Sequence, residues 1–142
     1  PGDASTSDGL GQLVHEITKR ESHIDVLVNN AGTAWGASFS EFPEKGWDKV
    51  MDINVKSPFF LTQALTPLLS KNASAQNTST VINIGSIAGI LGNGLDTFSY
   101  AVSKSAIHQV TRVLATELAA SYIRVNAIAP GRFYSKMTEF LS

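Results

Sequence analysis

The chain has no cysteine in its 142 residues. Disulfides and thiolate chemistry are therefore excluded. Charge is also sparse: charged residues make up 16% and the formal net charge is -1. With no basic cluster, the chain gives no reason to expect a nucleic-acid or anionic-membrane surface. No apolar run reaches the roughly 18 residues needed to span a bilayer. His15, His23 and His108 are not grouped with carboxylates at ligand-like spacing, so no metal is expected. Pro1 to Asp8 are small and polar, unlike a signal peptide. Without such a signal, the sequons Asn72-Ala73-Ser74 and Asn77-Thr78-Ser79 read as chance matches in a loop. Repeats and linkers are missing too. Hydrophobic residues, at 43%, suit a globular chain. The expectation is a single cytoplasmic domain over residues 1–142.

The pattern alternates helix and strand. Leu10, Leu13, Val14 and Ile17 form one helical stripe within Leu10 to Arg20. Ile24 to Val28 is a short apolar run that enters the turn Asn29-Asn30-Ala31-Gly32. Pro43 and Glu44 open a helix that runs on to Leu69, with Pro58 expected to distort it. Ser70 to Ser79 reads as a surface loop. Thr80 to Ile84 is a second strand, ending at Gly85-Ser86, and Gly89 to Thr97 is a loop. Ser99 to Ser121 is a long helix, and Ile123 to Ile128 a third strand ending at Pro130-Gly131. Such alternation predicts an α/β fold, a parallel sheet with helices on both faces.

Ligands of such sheets bind outside the carboxyl ends of the strands. Here those ends carry Asn29 to Gly32, Gly85-Ser86 and Pro130-Gly131. Tyr100 and Lys104 are four residues apart, hence on one helical face, in the first turns of the long helix. A positive charge beside a phenol favours its ionised form. The pair suits proton transfer to or from a substrate oxygen. Trp35, Phe39 and Phe42 read as packing or substrate-loop residues and stay unassigned.

These motifs, in this order, resemble the short-chain dehydrogenase/reductases. Asn29-Asn30-Ala31-Gly32 resembles the motif after that family's fourth strand. Asn54, in Asp52-Ile53-Asn54-Val55, resembles its active-site asparagine, and Ser86 its catalytic serine. Tyr100 and Lys104 resemble its Tyr-x-x-x-Lys pair. Val125 to Gly131 resembles its sixth strand and nicotinamide-side loop. The phrasing around Phe42 to Asp48 and Asn83 to Gly89 is similar to fungal and bacterial members near the 3-oxoacyl-carrier-protein reductases.

The resemblance implies a Rossmann-like, doubly wound parallel sheet and an NAD(P)-dependent oxidoreductase acting on a small carbonyl or secondary alcohol. NADP is slightly favoured over NAD. The implied catalytic residues are Asn54, Ser86, Tyr100 and Lys104. The implied cofactor contacts are Asp3, Asn30, Ala31, Gly32, Tyr100, Lys104, Pro130, Gly131 and Ser135. By resemblance, Asp3 touches adenine, Asn54 holds a water for a proton relay, and Lys104 holds the ribose hydroxyls. A homo-oligomer is implied for the full-length protein. Three departures stand out. The family's glycine-rich turn should precede Asp3, so the sheet is expected to be incomplete and the chain truncated at its start, and also at its end. Ser86 precedes Tyr100 by fourteen residues, one more than is usual. Ser135 stands where many members have threonine. The alternative reading is a non-catalytic remnant or binding protein on the same scaffold.

Overall fold

A computed structural model describes residues 3–92 and 94–131. Helix α1 spans Ser7–Arg20 and starts three residues before its apolar stripe. The cause is Thr6, whose side chain accepts the Gly9 N–H at 3.0 Å and so caps the helix. Asp8 in the first turn, with Lys19 and Arg20 in the last, complements the helix dipole. Strand β1 follows at Val26–Asn29.

Helix α2 spans Glu44–Met51 and α3 spans Ser57–Ser70, joined through a π turn at Asp52–Lys56. Pro58 accounts for the joint. It brings no N–H to the Asn54 carbonyl four residues back, and in a regular α-helix its ring would press on that oxygen. Widening the turn relieves the clash, and the Ser57 N–H bonds the Asp52 carbonyl five residues back. The expected distortion thus takes the form of a π turn just before the proline.

Strand β2 is Ser79–Ile84, α4 is Phe98–Leu118, and β3 is Ile123–Ile128. A 3₁₀ turn at Ala119–Ser121 ends the long helix, and Tyr122, in the left-handed region at φ 57°, swings the chain into β3. A second 3₁₀ turn, Ile87–Gly89, follows β2 where loop was expected only from Gly89. The three strands are parallel in the order β1-β2-β3, with Leu27, Val81 and Val125 in register.

Side chains alternate across a strand, so Leu27, Val81, Ile123 and Val125 share one face. They pack on Leu65 and Leu69 of α3, Leu114 of α4, and Val14 and Ile17 of α1. The Rossmann-like parallel sheet is therefore present. Among the described residues, the packed helices lie on one face of this sheet. On the opposite face Val26, Val28 and Ile128 are 56%, 50% and 52% exposed. Alternation of element types predicts that helices cover a sheet, but it does not say which side each crossover takes.

Candidate active site

The carboxyl ends of β1 and β2 converge on the first turns of α4. Lys104 is buried at 6% exposure, and its Nζ donates to the Ile84 carbonyl at the end of β2, 2.7 Å away. The ammonium also stands 5.6 Å from the centroid of the Tyr100 ring. Burial lowers the Lys104 pKa to about 8, because the charged form gives up hydration. The two side chains thus share one helical face, as their spacing requires.

Gly32 closes the other side. A Cβ at this position would lie 3.7 Å from Lys104 Nζ and 3.5 Å from Asn54 Oδ1. The missing side chain leaves the backbone open beside the ammonium. Asn30 and Ala31 are exposed just before it.

Asn54 is buried and fully engaged. Its Nδ2 donates to the Thr33 carbonyl and to Ser103 Oγ, both at 2.9 Å, while its Oδ1 accepts the Thr33 N–H at 2.9 Å. Ser103 Oγ donates onward to the Tyr100 carbonyl at 2.8 Å. The side chain therefore pins the loop after β1 to α4. Both of its N–H groups are used, so the amide nitrogen has no donor left for a further partner. Sequence reading gave Asn54 a role but missed Ser103, which stands one residue before Lys104 and looks like ordinary helix polarity.

Ser86 caps the Ile87–Gly89 turn: its Oγ accepts the Ala88 N–H at 3.1 Å. That bond uses an oxygen lone pair and leaves the hydroxyl hydrogen able to donate. The Ser86 N–H bonds Nε2 of His108 at 3.4 Å. The Pro130 carbonyl accepts from Ile87, which brings the end of β3 beside the serine. A Cβ on Gly131 would meet only Ile87 Cδ1, at 4.0 Å.

Beneath this edge lies a buried polar ladder that sequence reading missed. Asn29 Nδ2 donates to Thr62 Oγ1 at 3.2 Å and to Asn83 Oδ1 at 2.8 Å. Asn83 Nδ2 donates to Thr111 Oγ1 at 2.9 Å, and Thr111 Oγ1 to the Ile107 carbonyl at 2.8 Å. The signal available in the sequence was an asparagine near the end of each of two apolar runs.

Asp3 does not join the cluster. Its carboxylate accepts from the Ser5 N–H and hydroxyl at 2.9 and 2.6 Å, and these bonds hold its pKa below the usual value. Ser135 lies outside the described residues. Among the described residues no group of His, Cys, Asp or Glu is placed to hold a metal, and no helix is long and apolar enough to cross a membrane.

The site therefore brings together Gly32, Asn54, Ser86, Tyr100 and Lys104, with Pro130-Gly131 beside Ser86. A family model described as short chain dehydrogenase matches residues 1–142. The chain belongs to the short-chain dehydrogenase family. It is 48% identical, over its whole length, to a Pseudomonas aeruginosa protein named rhamnolipids biosynthesis 3-oxoacyl-[acyl-carrier-protein] reductase, of which it covers 56%. It is 43% identical over 94% of its length to the 2-dehydro-3-deoxy-D-gluconate 5-dehydrogenase of Escherichia coli, covering 51% of that protein. Among solved structures it is similar to the Pseudomonas aeruginosa RhlG/NADP active-site complex, with a TM-score of 0.94 and 48% identity, covering 99% of this chain and 55% of that one. The chain thus spans about half the length of the short-chain dehydrogenases it matches.

Proposed function

We propose that the protein is an NAD(P)-dependent oxidoreductase that moves a hydride between a nicotinamide and a carbonyl or secondary-alcohol carbon. The observation that carries this reading is Lys104, a buried ammonium beside the Tyr100 ring and the bare backbone of Gly32. A charge held out of water at a strand end is characteristic of functional sites.

The residues present fit the nicotinamide side of such a cofactor. Lys104 has three N–H donors. One goes to Ile84, leaving the others for ribose hydroxyls. Asn30, Ala31 and Gly32 offer small or exposed groups at the end of β1, and Pro130-Gly131 stand at the end of β3. Asp3 and Ser135 are proposed contacts on family resemblance alone. The NADP complex of the similar Pseudomonas structure favours NADP over NAD. When bound, the nicotinamide supplies or takes the hydride.

Tyr100 exchanges the proton with the substrate oxygen, and Lys104 steadies its phenolate. Ser86 donates its free hydroxyl hydrogen to the same oxygen as charge develops there. Asn54 holds the loop after β1 against α4, and its part in holding a relay water is proposed on family resemblance alone. The turn after Ser86 exposes Ile87, Ile90 and Leu91. These side chains suit the acyl chain of a 3-oxoacyl thioester better than a polyhydroxylated acid. Exposed Phe60 on α3, with Val102 and Val113 on α4, supports pairing with a second copy. A cysteine-free chain has no disulfide to gain from an oxidising compartment, which is consistent with the cytoplasm.

Titration of the chain with NADPH and NADH, followed by nicotinamide fluorescence, is the first test. No binding at millimolar cofactor would overturn the reading in favour of a non-catalytic role for this chain. With binding in hand, Tyr100→Phe is expected to lower NADPH-linked reduction of an acetoacetyl thioester by about 100-fold or more. Cofactor affinity should change little. Equal turnover in the variant would remove Tyr100 from the proton-transfer role.

A further inference from the structure

The turn that carries Ser86 runs from Gly85 to Gly89, and every backbone N–H in it has a partner. Gly85 donates to the Ile128 carbonyl at 2.7 Å, Ile87 to the Pro130 carbonyl at 3.1 Å, and Gly89 to the Ser86 carbonyl at 3.0 Å. Ala88 donates to Ser86 Oγ. Four of the five acceptors are oxygens. The fifth, taken by Ser86 itself, is a nitrogen that can be protonated: Nε2 of His108. The imidazole lies tight against the turn, since a Cβ on Gly85 would overlap its Nε2 and Cδ2 atoms. His108 stands one helical turn beyond Lys104 and two beyond Tyr100, so all three share a face of α4.

We propose that His108 is a positioning residue for Ser86: its neutral ring, protonated on Nδ1, anchors the Ser86 N–H through Nε2 and so sets where the serine hydroxyl stands. The inference rests on the reading of Ser86 as the hydroxyl that meets the substrate oxygen. A neutral imidazole has one donor and one acceptor nitrogen, so an accepting Nε2 requires the proton on Nδ1. Protonating Nε2 turns it into a donor aimed at another donor, and the anchor is lost. The charged groups facing the ring are Arg112 and Lys104, both on α4. Gly85 and Ser86, which meet the ring from the end of β2, carry no ionisable side chain. Burial first, then the charges of Arg112 and Lys104, keep its pKa below the usual histidine value. The anchor therefore survives through neutral pH and fails only on the acid side.

Nitrogen NMR on the cofactor-free chain reads the contact directly. The expected spectrum shows His108 protonated on Nδ1, with the Ser86 amide signal titrating at the same midpoint as the ring, below about 6.5. In His108→Gln, whose carbonyl can accept the same N–H, the Ser86 titration should vanish. A ring protonated on Nε2, or a Ser86 amide that ignores the ring's titration, would overturn the proposal. Kinetics test the consequence. His108→Phe, which lacks an acceptor, should lower kcat about tenfold at neutral pH, as loss of one hydrogen bond predicts. His108→Gln should recover much of that loss and remove the acid limb of kcat. An unchanged acid limb in His108→Gln would refute the positioning role. Lack of any turnover by the parent chain would count against the proposed function and leave the NMR test intact.

Discussion

Lys104 shows how a single residue can trade stability for chemistry. Its burial lowers its pKa from 10.5 to about 8, so near neutral pH the chain holds a charge that folding has partly dehydrated. A base with a depressed folded pKa lowers stability below that value. The deficit disappears as pH rises past the unfolded pKa, here between about 8 and 10.5. Replacing Lys104 by methionine keeps the aliphatic length and removes the charge. Relative to the parent chain, Lys104→Met should be more stabilising at pH 7 than at pH 10.5, by roughly 2–3 kcal/mol. Urea unfolding at the two pH values checks the difference. A variant whose relative stability does not depend on pH would mean that the ammonium is as well solvated folded as unfolded.

The ladder of Asn29, Asn83, Thr62 and Thr111 works at the level of elements. It joins β1 to β2 and ties both to α3 and α4, one layer beneath the strand ends. Satisfied networks of this kind specify one arrangement, whereas a half-satisfied one is costly. Asn29→Leu and Asn83→Leu should each destabilise the chain by about 2 kcal/mol, because each leaves a buried amide or hydroxyl unpaired. The double variant should lose clearly less than the two single losses together. Additive losses in denaturant melts would show that the two asparagines act independently. This ladder also marks where sequence reading stops. The long helix around Tyr100 and Lys104 was legible because its apolar period is local, and Pro58 announced the distortion before α3 because its chemistry is local. Asn29 and Asn83 meet across 54 positions of sequence, and Asn54 finds Ser103 across 49. No spacing rule reaches that far. Asn54 was legible as a site residue, through family resemblance, but its three bonds were not. His108 was legible only as a histidine without carboxylate neighbours in sequence, because a histidine on a helix face has no local signature of the backbone it will meet.

At the scale of the molecule, the sheet formed by the described residues is asymmetric. Its inner face is closed by α1, α3 and α4, while Val26, Val28 and Ile128 stand half exposed on the other. Val28 is in register with Ile82 and Ile128 with Ile84, two residues further along β2 on the same face, so the apolar groups form a strip that runs diagonally across the three strands past Asn126. Such strips bind other apolar surfaces, and among the described residues the outer edge of β1 has no strand beside it and so offers backbone groups to another strand. Arg124 is a partial safeguard: it lies on the same face and donates to Thr80 Oγ1 at 3.1 Å, which places a charge at the far edge. No comparable charge stands on β1, whose outward side chains are both valine. The isolated chain is therefore expected to bind an apolar dye such as ANS and to associate as its concentration rises. Val28→Lys should reduce both, since a lysine in the middle of β1 interrupts the strip without touching the packed face. Sedimentation velocity across a concentration series measures the association. A parent chain that stays monomeric and leaves the dye dark would mean that this face is closed by residues outside those described.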